Sequence, residues 1–428
     1  MNSPSLPELI DRANSDVVTR MTKCRPRLVD IRPLHEVCDR VTGRVLTHSG
    51  PPVGWRSMSG PQRGAAVAAV LFEEWAEDAN SAESLVARGE IALIPNHEIG
   101  GVGPMGGVLS PNMHVYVVED EGTQFRAFSC TEFDSFFGAF DHAALEEIRA
   151  WNGTVFPCMA RAVRSLGGLD LRPIMAKALT MGDELHSRQT ASSALLLASL
   201  ASAIVKTSAA EQSATTLQIL AESDLSFLPL SMAACKVSSL AGSGVDYSTV
   251  VTVMARNGSE FGIRVSGLGD AWFSAPAPVV EGVYFPGFGR ADAGLDVGDS
   301  AITETLGLGA FALPAAPSMS GLVGVGVREL NGLSGEMAEI CVGRNGGWSI
   351  PQLDFGGPPI GIDIRKVLQQ STFPMIDTAT AHRDPGHRII GAGITRAPAQ
   401  CFQLALDAWL ERYAKAEAVG TGDRGVVS

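Results

Sequence analysis

The chain has 428 residues, 45% of them hydrophobic and 18% charged, enough apolar material for about two to three domains with sizeable cores. Its 33 basic and 46 acidic residues leave a net charge of -13, which excludes a general affinity for nucleic-acid phosphates or anionic membranes and leaves any anionic ligand to local cations. Seven cysteines stand singly without C-x-x-C spacing, a usage that excludes a disulfide framework or a structural zinc site and fits a reducing compartment.

The opening MNSPSLPELIDRANSDVV carries acids and prolines where an export signal has basic and apolar parts, so the expected location is cytoplasmic. The pattern predicts a helix in SGPQRGAAVAAVLFEEWAED, which starts at a Ser-Gly-Pro turn and sets Val67, Val70, Leu71 and Trp75 on one face. A second helix covers SAESLVARG and stops at Gly89. Between the strand-like runs IALIP and HVYVVED lies a turn with five glycines in Gly100 to Gly107, and Gly101, Gly103 and Gly106 spell G-x-G-x-x-G. A dinucleotide loop of that spelling opens a helix whose free amides hold the pyrophosphate. Here Pro104 removes an amide and no helical period follows, so the segment reads as strand, glycine-dense turn and strand. Asn96, His97, Ser110 and Asn112 sit at its edges, and the glycines serve either close backbone packing or close approach to a ligand.

Residues 143 to 228 are rich in Ala, Leu, Ser and Met, with helical patterns in DHAALEEIRAW, MARAVRSL, SRQTASSALLLASLASAIVKT and EQSATTLQILAES. From Ser231 short apolar runs such as YSTVVTVMA, FGIRVSG and VVEGVYFPG alternate with Gly, Pro and Asp, and a closing helix, AQCFQLALDAWLERYAKAEA, precedes a polar tail. The expected fold class is α/β (α+β) and multidomain: an N-terminal α/β domain over 1–142 with the glycine-rich turn, an inserted helical subdomain over 143–230, a C-terminal α+β domain over 231–415, and a disordered tail over 416–428. The uncharged run Thr305 to Val327 is long enough to span a bilayer, but its five glycines and two prolines read as buried strands and turns.

Several segments carry chemistry. VTVMARNGSEFGIRVSG sets Arg256 and Asn257 in a turn completed by Gly258, with Arg264 inside the next strand. An arginine there needs either an anionic ligand or a salt bridge, with Glu260 and Asp270 as candidates. The run holding Asp292, Asp296, Asp299 and Glu304 lacks the order of a calcium loop and reads as Asp-Gly turns capping a helix at Ser300, so no metal is expected. Asp354 and Asp363 flank a Gly-Pro turn before Arg365, suited to capping and ion pairing or to a ligand. MGDELHSRQTASS reads as a capping cluster, with the density of titratable groups that an acid–base site also uses. His382 follows a strand-like stretch, where loops present catalytic groups. No Ser-His-Asp order, P-loop or H-E-x-x-H motif occurs, so chemistry alone describes an anion-binding α/β protein without a cofactor.

The motifs HSGPPVGWRSMSGPQRGA, NHEIGGVGPMGGVLSPNMHVYVVE, MGDELHSR, LPLSMAACK, VMARNGSEFGIRVSG, WFSAPAPVVEGVYFPGFGRADAGLDVGDSAITET, LDFGGPPIGIDIRKV and a final GAG run in order from about His48 to Gly393. Together they resemble the YlbE-like family of AllG-type oxamate carbamoyltransferase subunits. The resemblance implies an oligomeric assembly of AllF-, AllG- and AllH-like subunits, in purine and allantoin degradation, that moves a carbamoyl group between oxalurate and phosphate. The products are oxamate and carbamoyl phosphate, the latter used by a carbamate kinase. Where the family usually shows a run of histidines this chain has Asn96-His97-Glu98. On that chemistry His97, Arg256 and His382 are the expected catalytic residues, the histidines supplying the proton for the leaving nitrogen. Asn96, Gly103, Gly106, Ser110, Asn112, Asn257, Arg264, Asp354, Asp363 and Arg365 are the expected binding residues for the two anions and the oxyanion. A self-sufficient enzyme for another amide or ureido acid and a non-catalytic interface subunit are the alternatives.

Overall fold

The computed structural model describes residues 4–414, so the tail expected at 416–428 lies outside the described residues. The chain is a mixed α/β protein of several sheets. The helix Leu6–Lys23 begins where the amide and hydroxyl of Ser5 both bind the Glu8 carboxylate, and it buries Ile10, Ala13, Asn14, Val17 and Met21 at helical spacing. A five-stranded sheet follows in the order Gly101–Val102, Arg126–Ser129, His114–Asp120, Pro26–Pro33, Leu169–Asp170; its first pair is parallel and the others antiparallel.

The helices His142–Ala150, Phe156–Ser165, Thr190–Thr207 and Ala210–Glu222 fall where the periodicity predicts them. Phe156–Ser165 lies on the strand Pro26–Pro33, and the resulting core runs without a break from Val17 to Ala381. Thr190–Thr207 is, among the described residues, the one helix long and apolar enough to cross a membrane. It packs on Phe156–Ser165 and Ala210–Glu222, burying Leu196, Leu200, Ala203 and Ile204.

At the centre is Leu228–Gly242, a helix the sequence pattern left unassigned and which is buried along its whole length except at Leu240. It touches the strands His114–Asp120 and Arg126–Ser129 on one side and Val251–Asn257 and the turn Ile302–Thr305 on another. A helix enclosed on all sides belongs to the interior of a large protein. The second half holds an antiparallel sheet in the order Phe273–Pro276, Glu260–Val265, Val251–Asn257, Val297–Gly298, and a second one in the order Glu281–Tyr284, Ile389–Arg396, Met375–Ala381. A further core, from Val251 to Ala405, fills the space between them and the closing helix Ala399–Trp409. The run from Thr305 onward is buried as far as Ala316, but as helical turns at Gly309–Ala315, Pro317–Met319 and Ser320–Val323 rather than strands. Its Ala, Gly and Pro residues lack the β-branched side chains that favour a pleated strand.

Candidate active site

The glycine turn opens no helix. Asn96–Ile99 is one 3-10 turn, Gly101–Val102 pairs with Phe128 and Ser129, and the chain then folds back on itself through Gly107. A Cβ on Gly103 would lie 2.7 Å from the Cα of Gly107, so the glycines here permit the turn to pack against itself.

Into this turn projects Asp299. Its Oδ2 accepts from the Gly103 amide at 2.9 Å and from Asn96 Nδ2 at 2.9 Å, and its Oδ1 from the Gly50 amide at 2.8 Å. Burial opposes ionisation, but contact with His97 and these N–H donors outweigh it and hold the carboxyl below its usual range. The expected cap of a helix at Ser300 is therefore a bridge between the two halves of the chain. Gly106 donates to the Phe136 carbonyl and accepts from the Ser49 amide, and Ser110 is fully buried with an unpartnered hydroxyl.

The ring of His97 stands with Nε2 3.3 Å from Asp299 Oδ1 and edge-on to Trp272, yet neither ring nitrogen makes an oriented hydrogen bond. Burial, reinforced by the nearby charge of Lys236, pushes it down to about 4, so it is a neutral imidazole at neutral pH. Lys236 lies on the central helix, 2% exposed, and among the described residues no hydrogen bond or ion pair engages its ammonium. Burial and the charge of Arg264 bring it down to about 7, against the pull of Asp299, Asp270 and Glu98. Lys236 was not among the expected site residues; its signal is a lone cation in the apolar stretch LPLSMAACKVSSLAG.

The arginines are already partnered. Arg264 pairs with Glu98 and, at 3.2 Å, with Asp270, and its guanidinium stacks 4.4 Å above Trp272. Arg256 lies within the strand Val251–Asn257, every residue of which is buried, and not in the turn where it was expected. It donates to Asp296 Oδ2 at 2.8 Å, to the Gly298 carbonyl at 2.7 Å, to Ser300 Oγ at 3.3 Å and to Thr378 Oγ1 at 3.0 Å. Gly298 in turn approaches the glycine turn, since a Cβ on it would meet the Met105 amide at 2.9 Å. The glycine turn and the arginine strand thus converge on residues 296–300.

Beyond Thr378 the polar seam continues. His186 Nδ1 lies 2.8 Å from Glu304 Oε1 and 3.8 Å from Asp377 Oδ1, all three side chains buried. Burial pushes Glu304 up to about 7 and, with the charge of Glu304 adding to it and His186 opposing it, Asp377 up to about 6. Burial lowers His186 to about 4, and burial followed by the charge of Asp377 raises Glu184 well above the carboxylate range. The MGDELHSR cluster therefore divides. Asp183 does cap the helix Thr190–Thr207 through the amides of Ala191 and Ser192, while Glu184 and His186 join the seam.

Other expected site residues lie elsewhere. Asn112 is exposed, its amide and side chain bound to Glu73. Asp354 is exposed, closing the turn Pro351–Leu353 in a left-handed conformation. Asp363 caps the helix Ile364–Gln370 and binds Asn14, Thr249 and Arg365, and Arg365 also reaches Asp11; this network shares no residue with that of Asp299. Asn257 holds the turn amides of Ser259 and Glu260. His382, its ring 3.9 Å from that of His387 and tilted by 34°, lines a cavity of about 230 Å³ whose lining also includes Gly258 and Val297.

Comparison with known proteins bears on all of this. The profile of the family described as oxamate carbamoyltransferase subunit AllG matches residues 91–300. The oxamate carbamoyltransferase subunit AllG of Escherichia coli (strain K12) is 41% identical over 94% of this chain and 98% of its own length. The uncharacterized protein YahG of the same strain is 40% identical, over 95% of this chain and 88% of its own. The crystal structure of a conserved protein of unknown function from Enterococcus faecalis V583 superposes with a TM-score of 0.94 at 41% identity, over 96% of this chain and 99% of that one. With the glycine turn, the arginine strand and the acidic run meeting in one buried seam, and with relatives matched from end to end, the chain belongs to the AllG family of oxamate carbamoyltransferase subunits.

Proposed function

We propose that this chain is the AllG-type subunit of a cytoplasmic, multi-subunit carbamoyltransferase that interconverts oxalurate plus phosphate with oxamate plus carbamoyl phosphate, working with AllF- and AllH-like partners. The observation that carries this reading is the buried Lys236 on the central helix near His97, which among the described residues has no ion pair of its own, because the arginines expected to hold anions are already committed to Asp296, Glu98 and Asp270. In phosphorolysis a phosphate oxygen attacks the carbamoyl carbon, the carbonyl oxygen takes up negative charge, and the bond to the oxamate nitrogen breaks as that nitrogen gains a proton. Lys236 is suited to hold the anion or the oxyanion, and the neutral imidazole of His97 to take the proton of the attacking hydrogen phosphate and pass it to the leaving nitrogen. Arg256 holds Asp296, Ser300 and Thr378 in the adjoining part of the seam. With His97 and Lys236 almost wholly buried, substrate enters through an opening that a partner subunit induces or completes.

The test is carbamoyl phosphate formation from oxalurate and phosphate, coupled to carbamate kinase, with each subunit omitted in turn. Activity is expected only from the complete set, and Lys236→Met is expected to lose roughly ten- to a hundredfold, the worth of a charged hydrogen bond. Full turnover by this chain alone would favour a self-sufficient enzyme. Inactivity of every combination would point to another ureido acid or to an interface role.

A further inference from the structure

The seam contains three carboxylates and an imidazole that the proposed reaction does not use. We propose that His186, Glu304 and Asp377 form a site for a divalent transition cation of the Mn2+ or Zn2+ class, with Glu184 behind them as an outer carboxylate.

One donor atom from each of the three residues lies within 4.8 Å of the other two. The separations of 2.8 Å and 3.8 Å from His186 Nδ1 bracket the spacing of about 3 Å that adjacent ligands adopt around an ion with bonds of about 2.1 Å. A second observation is independent of that clustering. Among the described residues both oxygens of Asp377 are fully buried and receive no well-oriented hydrogen bond, although Glu184 and Ser187 lie beside them and Oδ1 faces His186 and Glu304. Buried carboxylates are ordinarily saturated with donors, so a bare one needs a partner of another kind. Arg256, whose charge reaches His186 and Glu304, is neutralised by Asp296, which leaves Glu184, Glu304 and Asp377 as an excess of buried negative charge that protons or a bound cation can balance.

The surroundings are built around this point. Gly309, at φ +57, brings backbone where any side chain would intrude, since its Cβ would lie 2.2 Å from Glu304 Oε1 and 3.0 Å from Asp377 Oδ1. Glu184 is fixed by the amides of His186 and Arg188, and Glu304 by Thr303 Oγ1 and the Ala310 amide, so the carboxylates are oriented before any ion arrives. One imidazole with carboxylate oxygens suits manganese or zinc better than the all-oxygen shell that calcium and magnesium prefer. The inference does not depend on carbamoyl transfer, because binding is read directly.

Full-length protein stripped with chelator is titrated with Mn2+, following loss of the free-ion electron paramagnetic resonance signal, and its melting is recorded with and without the ion. Because the site is buried, one sample is also unfolded and refolded in the presence of Mn2+. One ion per chain and a rise in Tm are expected, with competition by Zn2+. Asp377→Asn and Glu304→Gln should each weaken binding at least about tenfold, since even partners behind a ligand are worth that much. Both variants should remain folded, because each keeps its volume and sheds unbalanced charge. The proposal is overturned if the refolded wild type takes up no Mn2+, which would make the cluster a set of carboxyls sharing protons, or if both variants bind as the wild type does.

Discussion

Gly103 and Asp299 hold each other twice. The Gly103 amide donates to the Asp299 carboxylate at 2.9 Å, and the Asp299 amide returns a bond to the Gly103 carbonyl at 2.9 Å, across 196 residues of sequence. Asp299→Asn keeps one acceptor oxygen but turns an N–H group toward donors that need an acceptor. A loss of about 2–4 kcal/mol is expected, read as a lower midpoint in chemical unfolding; an unchanged midpoint would show that the bridge adds no stability.

Arg256→Lys follows from the same strand. Lysine keeps the charge but cannot serve Asp296, Gly298, Ser300 and Thr378 together. The expected cost is about 3–5 kcal/mol, the range for breaking a buried ion pair, so stability falls along with activity. A variant that melts like the wild type while losing turnover would instead mark Arg256 as a ligand contact.

Lys236→Met should behave in the opposite way. Removing a buried cation that has no ion pair among the described residues should leave the fold as stable as before or more so, while activity of the assembled enzyme falls by that roughly ten- to hundredfold factor. The folded chain holds this proton less tightly than the unfolded one, with about 7 against 10.5, so wild-type stability rises with pH through that window. The variant's Tm advantage is therefore expected to shrink between about pH 7 and pH 10, and an advantage independent of pH would contradict the burial argument.

Glu304→Gln tests the acidic corner in chelator-treated protein. Its carboxyl, at about 7 when folded against 4.5 ordinarily, contributes stability that is complete below about pH 4.5 and is lost as pH rises to about 7. The variant lacks that loss, so its Tm should gain on the wild type by the equivalent of about 1–3 kcal/mol between pH 5 and pH 7.5. A constant difference across that range would show that Glu304 titrates normally.

Gly50→Ala is a steric prediction. The new Cβ would lie 2.5 Å from the backbone of Arg256 and Asn257 at φ +83, whereas on Gly89, at φ +73, it would meet nothing within 4 Å. Strain alone costs about 1–2 kcal/mol in Gly89→Ala, and overpacking should bring Gly50→Ala to about 3 kcal/mol or more. Equal midpoints for the two variants would mean that the loop at Gly50 moves aside freely.

Periodic segments were legible in the sequence, and unpatterned ones were not. The helices at His142–Ala150 and Thr190–Thr207 and the strand His114–Asp120 show the spacing of their faces. Leu228–Gly242 does not, because a helix buried on all sides has no polar stripe, and so the lysine it carries looked incidental. Beside the seam, local rules were correct as far as they reached: Asp183 and Asp363 are caps. The roles of Asp299 and Glu304 could not be read locally, since their partners at Gly103, Gly50 and His186 lie far along the chain. Asn112 drew notice for its place beside the glycines, yet it lies in the turn before the strand His114–Asp120 and faces outward to Glu73.

The bond between Gly103 and Asp299 also sets an order of events during synthesis. At about 5–20 residues per second a ribosome delivers Asp299 roughly ten to forty seconds after Gly103. Over that interval the glycine turn emerges without the carboxylate that organises its amides, and His97 stays open to water, as does Lys236 once it has been made. The N-terminal sheet can form on the ribosome, but the charged seam closes only when the last strands arrive. A truncated chain would therefore expose its most polar interior, a feature by which quality control can tell an unfinished molecule from a complete one.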